Sequence, residues 1–223
     1  MRTANHIIRL SLTSLLIVIL GGYVLTAQAE GSERKNISRV NSSIEIESGQ
    51  QVGNVNSVNG SIRIGRQAIA ADVETVNGRI DLESASQVDH ASTVNGRITA
   101  ADNVAVEGSL ETVNGAIRVR EGGRVKGRVR TVNGDISLRS AVVTADLQTS
   151  NGDIDLRASE VKGDIVVKGR RSFLGRMFSF GNNSRPDVTI DSESIIHGSI
   201  ILEQEVDLRI DASAQVGEII HDY

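Results

Sequence analysis

The chain has 223 residues, with 24 basic and 28 acidic side chains, a net charge of −4, a single Pro and neither Cys nor Trp. Without Cys it can form no disulfide and carry no lipid-modified cysteine, and its acidic balance argues against nucleic acid as a partner. Aliphatic residues with few aromatics suit a thin, repetitive core.

Residues 1–29 read as a secretory signal. Arg2 and Arg9 supply a charged start, Leu10 to Leu25 is mostly apolar, and Ala27-Gln28-Ala29 is a small-residue cleavage site. The apolar stretch is short for a membrane span and contains Ser11, Thr13 and Ser14. The expected product is an exported protein, periplasmic or on the cell surface, that begins at Glu30. Losing Arg2 and Arg9 takes its net charge from −4 to −6.

From residue 30 to residue 169 the chain repeats. Asn41, Asn59, Asn77, Asn95, Asn114, Asn133 and Asn151 follow one another at intervals of 18, 18, 18, 19, 19 and 18. Ile stands three residues after each Asn, a mostly aliphatic residue five after, an apolar residue four before, and usually Thr two before. Apolar positions separated by Glu, Arg, Asp or Ser give the period-two alternation of half-buried strands. Each unit therefore reads as two short strands around an Asn-Gly turn, a dipeptide that accepts positive φ. Every unit re-enters with the same order of residues, so equivalent positions should stack in parallel. This predicts an all-β, single-domain parallel β-helix, or β-solenoid, with coils of about 18–20 residues. Inward-pointing Asn side chains would form a hydrogen-bonded ladder from coil to coil, each bond contributing roughly 1 kcal/mol.

Four residues after the Asn the outward positions run Glu45, Arg63, Asp81, Thr99, Arg118, Ser137, Asp155. The mixed signs fit a solvated face better than a metal or polyanion site.

Residues 170–186 fit no period. They hold Phe173, Phe178 and Phe180, which are all the Phe of the chain, with Met177, Arg170, Arg171, Arg176 and Arg185. Such a segment could meet a membrane or partner, or fold back as a local cover. Residues 187–223 resume as longer coils: Asp187 to Asp191 aligns with Asp207 to Asp211, and Ile196 with Val216, at a spacing of 20.

Little in the sequence suggests catalysis. Asp135 and Asp153 share one repeat position, with Asp155 close by, and could bind Ca²⁺ or act as an acid/base pair; they could equally be exposed carboxylates beside Arg139 and Arg157. His90, His197 and His221 show no metal-ligand spacing, and His6 lies in the signal. No cofactor and no metal is expected.

The segments Thr75 to Leu82, Thr131 to Leu138 and Thr149 to Leu156 follow Thr-Val-Asn-Gly-x-Ile-x-Leu or a near variant. This pattern resembles a bacterial β-strand-repeat family labelled adhesin, over about Ile37 to Val167. The resemblance implies an exported or envelope-associated β-solenoid and supplies no catalytic residues. The leading expectation is a non-enzymatic envelope protein that meets an envelope protein, a glycan or a membrane surface, alone or as an end-to-end homo-oligomer. The alternative is a carbohydrate-active β-helix enzyme, a polysaccharide lyase or hydrolase, which the scarcity of aromatic sugar platforms disfavours. A polymer-forming scaffold like the bactofilins is disfavoured by the signal segment.

Overall fold

A computed structural model describes residues 34–169 and 185–223, so the expected signal segment and most of the Phe/Arg-rich insertion lie outside the described residues. All the described strands pair in parallel, in one sheet of nine strands and one of fifteen. The chain is a β-solenoid of about nine turns.

Each turn contributes to the nine-stranded sheet the strand that follows the Asn corner, from Ile44–Ile46 through Ile62–Ile64 and Ile80–Leu82 to Asp207–Ile210. Like stacks on like: Ile44 pairs with Ile62, Ile62 with Ile80, and Ile80 with Ile98. Strands before the corner, such as Val55–Asn59, build the larger sheet. Its pairs include Val55 with Val73 and Leu110 with Val129. The spacing of 20 in the last coils is also a register, with Asp187 paired to Asp207 and Ile190 to Ile210.

Two strands per coil proves too few. Later coils carry a third, two residues long, as in Ala105–Val106, Arg124–Val125 and Val142–Val143. In two earlier coils this piece is fused with its successor into the nine-residue strands Ile69–Asn77 and Gln87–Asn95. The split begins at Gly108. Val88 pairs with Val106 but Ala91 with Leu110, so one extra residue bends the strand into two, and the first 19-residue step in the sequence marks that corner.

The core is a column of aliphatic rows. Ile62, Ile80, Ile98, Ile117 and Ile136 are fully buried, as are Val55, Val73, Leu110 and Leu147 in the opposing row. Burying a side chain of this kind is worth about 1.5–3 kcal/mol relative to exposure. Since each coil gains this only from its neighbours, stability is a property of the stack.

Candidate interaction surface

The corner at the Asn-Gly dipeptides departs from the sequence expectation in two ways. None of the seven Asn residues has positive φ; the glycine is needed for closeness instead. A Cβ on Gly78 would stand 2.2 Å from the Gly60 carbonyl oxygen, and one on Gly152 would stand 1.9 Å from that of Gly134. The coils meet there backbone to backbone, and only Gly leaves room.

The Asn side chains also point outward. Their amides do form a ladder: each Nδ2 donates to the Oδ1 one coil below, from Asn59 on Asn41 at 3.0 Å to Asn151 on Asn133 at 2.8 Å. Asn41, Asn59, Asn77, Asn95 and Asn114 are exposed, while Asn133 and Asn151 are half-buried. The inward place belongs to the residue two before, whose hydroxyl donates to the Gly carbonyl of the coil below. Thr75 does so to Gly60 at 2.9 Å, Thr93 to Gly78 at 3.0 Å and Thr131 to Gly115 at 3.0 Å. These Thr residues are buried, and their recurrence was the available signal for this second ladder.

The insertion grows out of the same corner. Thr149 pairs with Val167, which puts Gly169 at the next Asn position. The register resumes at Asp187, whose N–H donates to Asp153 Oδ1 at 2.8 Å, 34 residues on where other coils step 18 to 20. Both roots are held by polar contacts that sequence reasoning missed. Lys168 pairs with Glu203, and Gly169 N–H donates to Glu203 Oε2 at 3.3 Å. Gln204 Nε2 donates to the Ser150 carbonyl at 2.6 Å. Arg185, the one expected interaction residue within the described region, lies 2.5 Å from Glu205. Arg170, Arg171, Phe173, Arg176, Met177, Phe178 and Phe180 fall outside it.

The carboxylates considered for acid/base work serve the backbone. Asp135 Oδ1 accepts the Asp153 N–H at 3.0 Å, and Asp153 in turn accepts that of Asp187. Asp164 accepts the Ser199 N–H at 2.8 Å in the same fashion. Asp155 is held by Arg157 at 3.1 Å. His90 Nδ1 accepts the Ser109 N–H at 3.0 Å, with its ring packed over Gly108. His197 meets Glu160 at 2.9 Å. Among the described residues no group of three or more His, Asp or Glu is placed to hold a metal ion.

Among the described residues three carboxyls depart from their ordinary range. Burial raises Glu74, Asp72 beside it raises it further, and His90 opposes the rise. Burial likewise raises Asp72, against His90 and with a smaller push from Asp89. At Asp191 a desolvation rise is outweighed by hydrogen bonds from the Ser194 hydroxyl and the N–H groups of Ala158, Glu193 and Ser194, and the net shift is downward.

Compared with protein-family models, curated proteins and solved structures, the chain gives no match.

Proposed function

We propose that this is a non-enzymatic, exported envelope protein that uses its solenoid as a stiff support for binding a protein, a glycan or a membrane surface. The observation that carries this reading is the placement of the insertion. A segment rich in Phe and Arg takes the place of one Asn-Gly turn, and the residues at its two ends are tied down through Glu203 and Glu205. Aromatic and Arg side chains anchor interfaces well, and fixing the two ends of a segment lowers the conformational cost of its binding. Of the carboxylates of the alternative reading, a polysaccharide lyase or hydrolase, Asp135 and Asp153 already accept backbone N–H groups and Asp155 is paired with Arg157. The resemblance to the adhesin-labelled repeat family and the signal-like start agree with export. End-to-end association belongs to the same proposal, since Ile219 and Ile220 in the last coil remain 38% and 36% exposed.

The test is to change Phe173, Phe178 and Phe180 together to Ser and follow two readouts. The β signal and cooperative melt should stay near wild type, because coils are stabilised by their neighbours. Cosedimentation with envelope membranes, isolated envelope glycan or anionic vesicles should fall sharply. Unfolding of the triple variant would make the insertion a structural cover, and unchanged binding would move the surface elsewhere.

A further inference from the structure

The chain contains six Asn-Gly pairs, at Asn59, Asn77, Asn95, Asn114, Asn133 and Asn151. Asn-Gly is chemically fragile because the Gly nitrogen, unhindered by a Cβ, can attack the Asn side-chain carbonyl. The Gly N–H loses its proton, an N–Cγ bond forms and the Cγ–Nδ2 bond breaks, so that ammonia leaves and a cyclic imide remains. Water then opens the ring to Asp or isoaspartate. No oxidant or other co-reactant is required.

Five of the six pairs are locked against this attack. Gly60, Gly78, Gly96, Gly115 and Gly134 each donate their N–H to the carbonyl of the Asn one coil above, at 3.0–3.1 Å. Each of the five Asn side chains is also engaged on both sides, its Nδ2 donating to the Asn below and its Oδ1 accepting from the Asn above. The nucleophile is occupied and the electrophile is held.

Asn151-Gly152 has only half of this. Asn151 Nδ2 donates to Asn133, but the coil above carries Gly169 at the Asn position, which has no amide side chain to donate back. Among the described residues nothing donates to Asn151 Oδ1, and Gly152 N–H has no backbone acceptor.

We propose that Asn151 is a self-modification site, the one Asn-Gly pair that the described residues leave open to imide formation and hydrolysis. The change puts a new carboxylate, and in the isoaspartate product an extra backbone methylene, beside Ser150, whose carbonyl takes the Gln204 side chain at the root of the insertion. Modification would therefore loosen that root and, because Nδ2 leaves, also take from Asn133 Oδ1 the donor above it, while the four pairs below stay locked.

The experiment incubates the full chain at mildly alkaline pH, folded in one arm and in denaturant in the other, followed by peptide mapping. Each conversion adds about 1 Da and one negative charge, a covalent change of the kind that alters local charge and hydrogen bonding. In denaturant all six sites should convert at comparable rates, since each is followed by Gly. In the folded protein Asn151 should convert at least about tenfold faster than Asn95, the tenfold corresponding to roughly 1.4 kcal/mol of extra protection at the locked site. If Asn151 in the folded protein is as slow as Asn95 while the denatured arm converts, or if any lower pair outpaces it, the proposal is wrong.

Discussion

Gly96 lies so close to Gly78 that a Cβ on it would stand 1.9 Å from the Gly78 carbonyl oxygen. The same approach recurs at Gly115 over Gly96 and Gly134 over Gly115, both at 2.0 Å. Backbone contact at this corner sets how the coils stack, and the side-chain ladders run along either side of it.

Replacing Gly96 by Ala should therefore cost about 3 kcal/mol or more, the upper range for forcing atoms into a packed site. Denaturant melts would measure it. A loss under about 1 kcal/mol would mean that the corner yields easily.

The two ladders should respond unlike the glycine row. Thr93→Val keeps the shape but removes the hydroxyl that donates to Gly78, and should cost about 1 kcal/mol. Asn95→Ala should cost a similar amount or less because the amide is exposed, and Asn41→Ala less again because it has a neighbour on one side only. Equal and negligible losses at Asn95 and Asn41 would show that the outer ladder contributes nothing.

A second corner is strained in a way that can be relieved. Gln67, Ala85, Asn103, Ser140 and Ala158 all have φ between 47° and 60°, a region that costs non-Gly residues roughly 1–2 kcal/mol. Ala85→Gly removes that strain but adds freedom to the unfolded chain, so the net should be a stabilisation of up to about 1 kcal/mol. Ala85→Val should destabilise by about 1 kcal/mol or more. A higher melting temperature for the Val variant would contradict the assignment.

Glu74 sits in an environment that disfavours its charge. Its folded-state carboxyl is raised above its ordinary value of 4.5, so the folded protein holds the proton more tightly than the unfolded chain. The cost is present in full above the raised value, and it is relieved as pH falls toward 4.5. Glu74→Gln should accordingly raise the melting temperature at pH 7 and lose that advantage below about pH 4.5. An advantage that instead grows on acidification would reverse the sign.

Much of this architecture was legible because a stack repeats what it needs. Ile at three after the Asn and an aliphatic at five after give the nine-stranded sheet almost residue for residue, and the spacing of 20 gives the last register. The left-handed corner was not legible, because its residues are Gly49, Gln67, Ala85, Asn103, Gly122, Ser140 and Ala158. Their conformation is set by the coil above, which takes their N–H groups, as Ser140 takes that of Gly122 at 2.8 Å. The two-residue strands were too short to alternate visibly. Asn-Gly pointed to a turn, but composition alone does not distinguish a glycine chosen for φ from one chosen for contact, nor an amide facing out from one facing in. At the insertion, Gly169 stands where the next Asn would be, and the pairing resumes at Val188 on Ile154.

Asp153 tests the functional account most directly, because its carboxylate is assigned here to a backbone N–H and by the alternative to acid/base chemistry. Asp153→Asn keeps an acceptor oxygen but cannot exchange a proton as a carboxylate does. Reducing-end release and unsaturated-sugar absorbance should be followed over a panel of envelope polysaccharides, with wild type and Asp153→Asn side by side. The account predicts no product from either protein and superimposable melts. Product formed by the wild type and abolished in Asp153→Asn would contradict it.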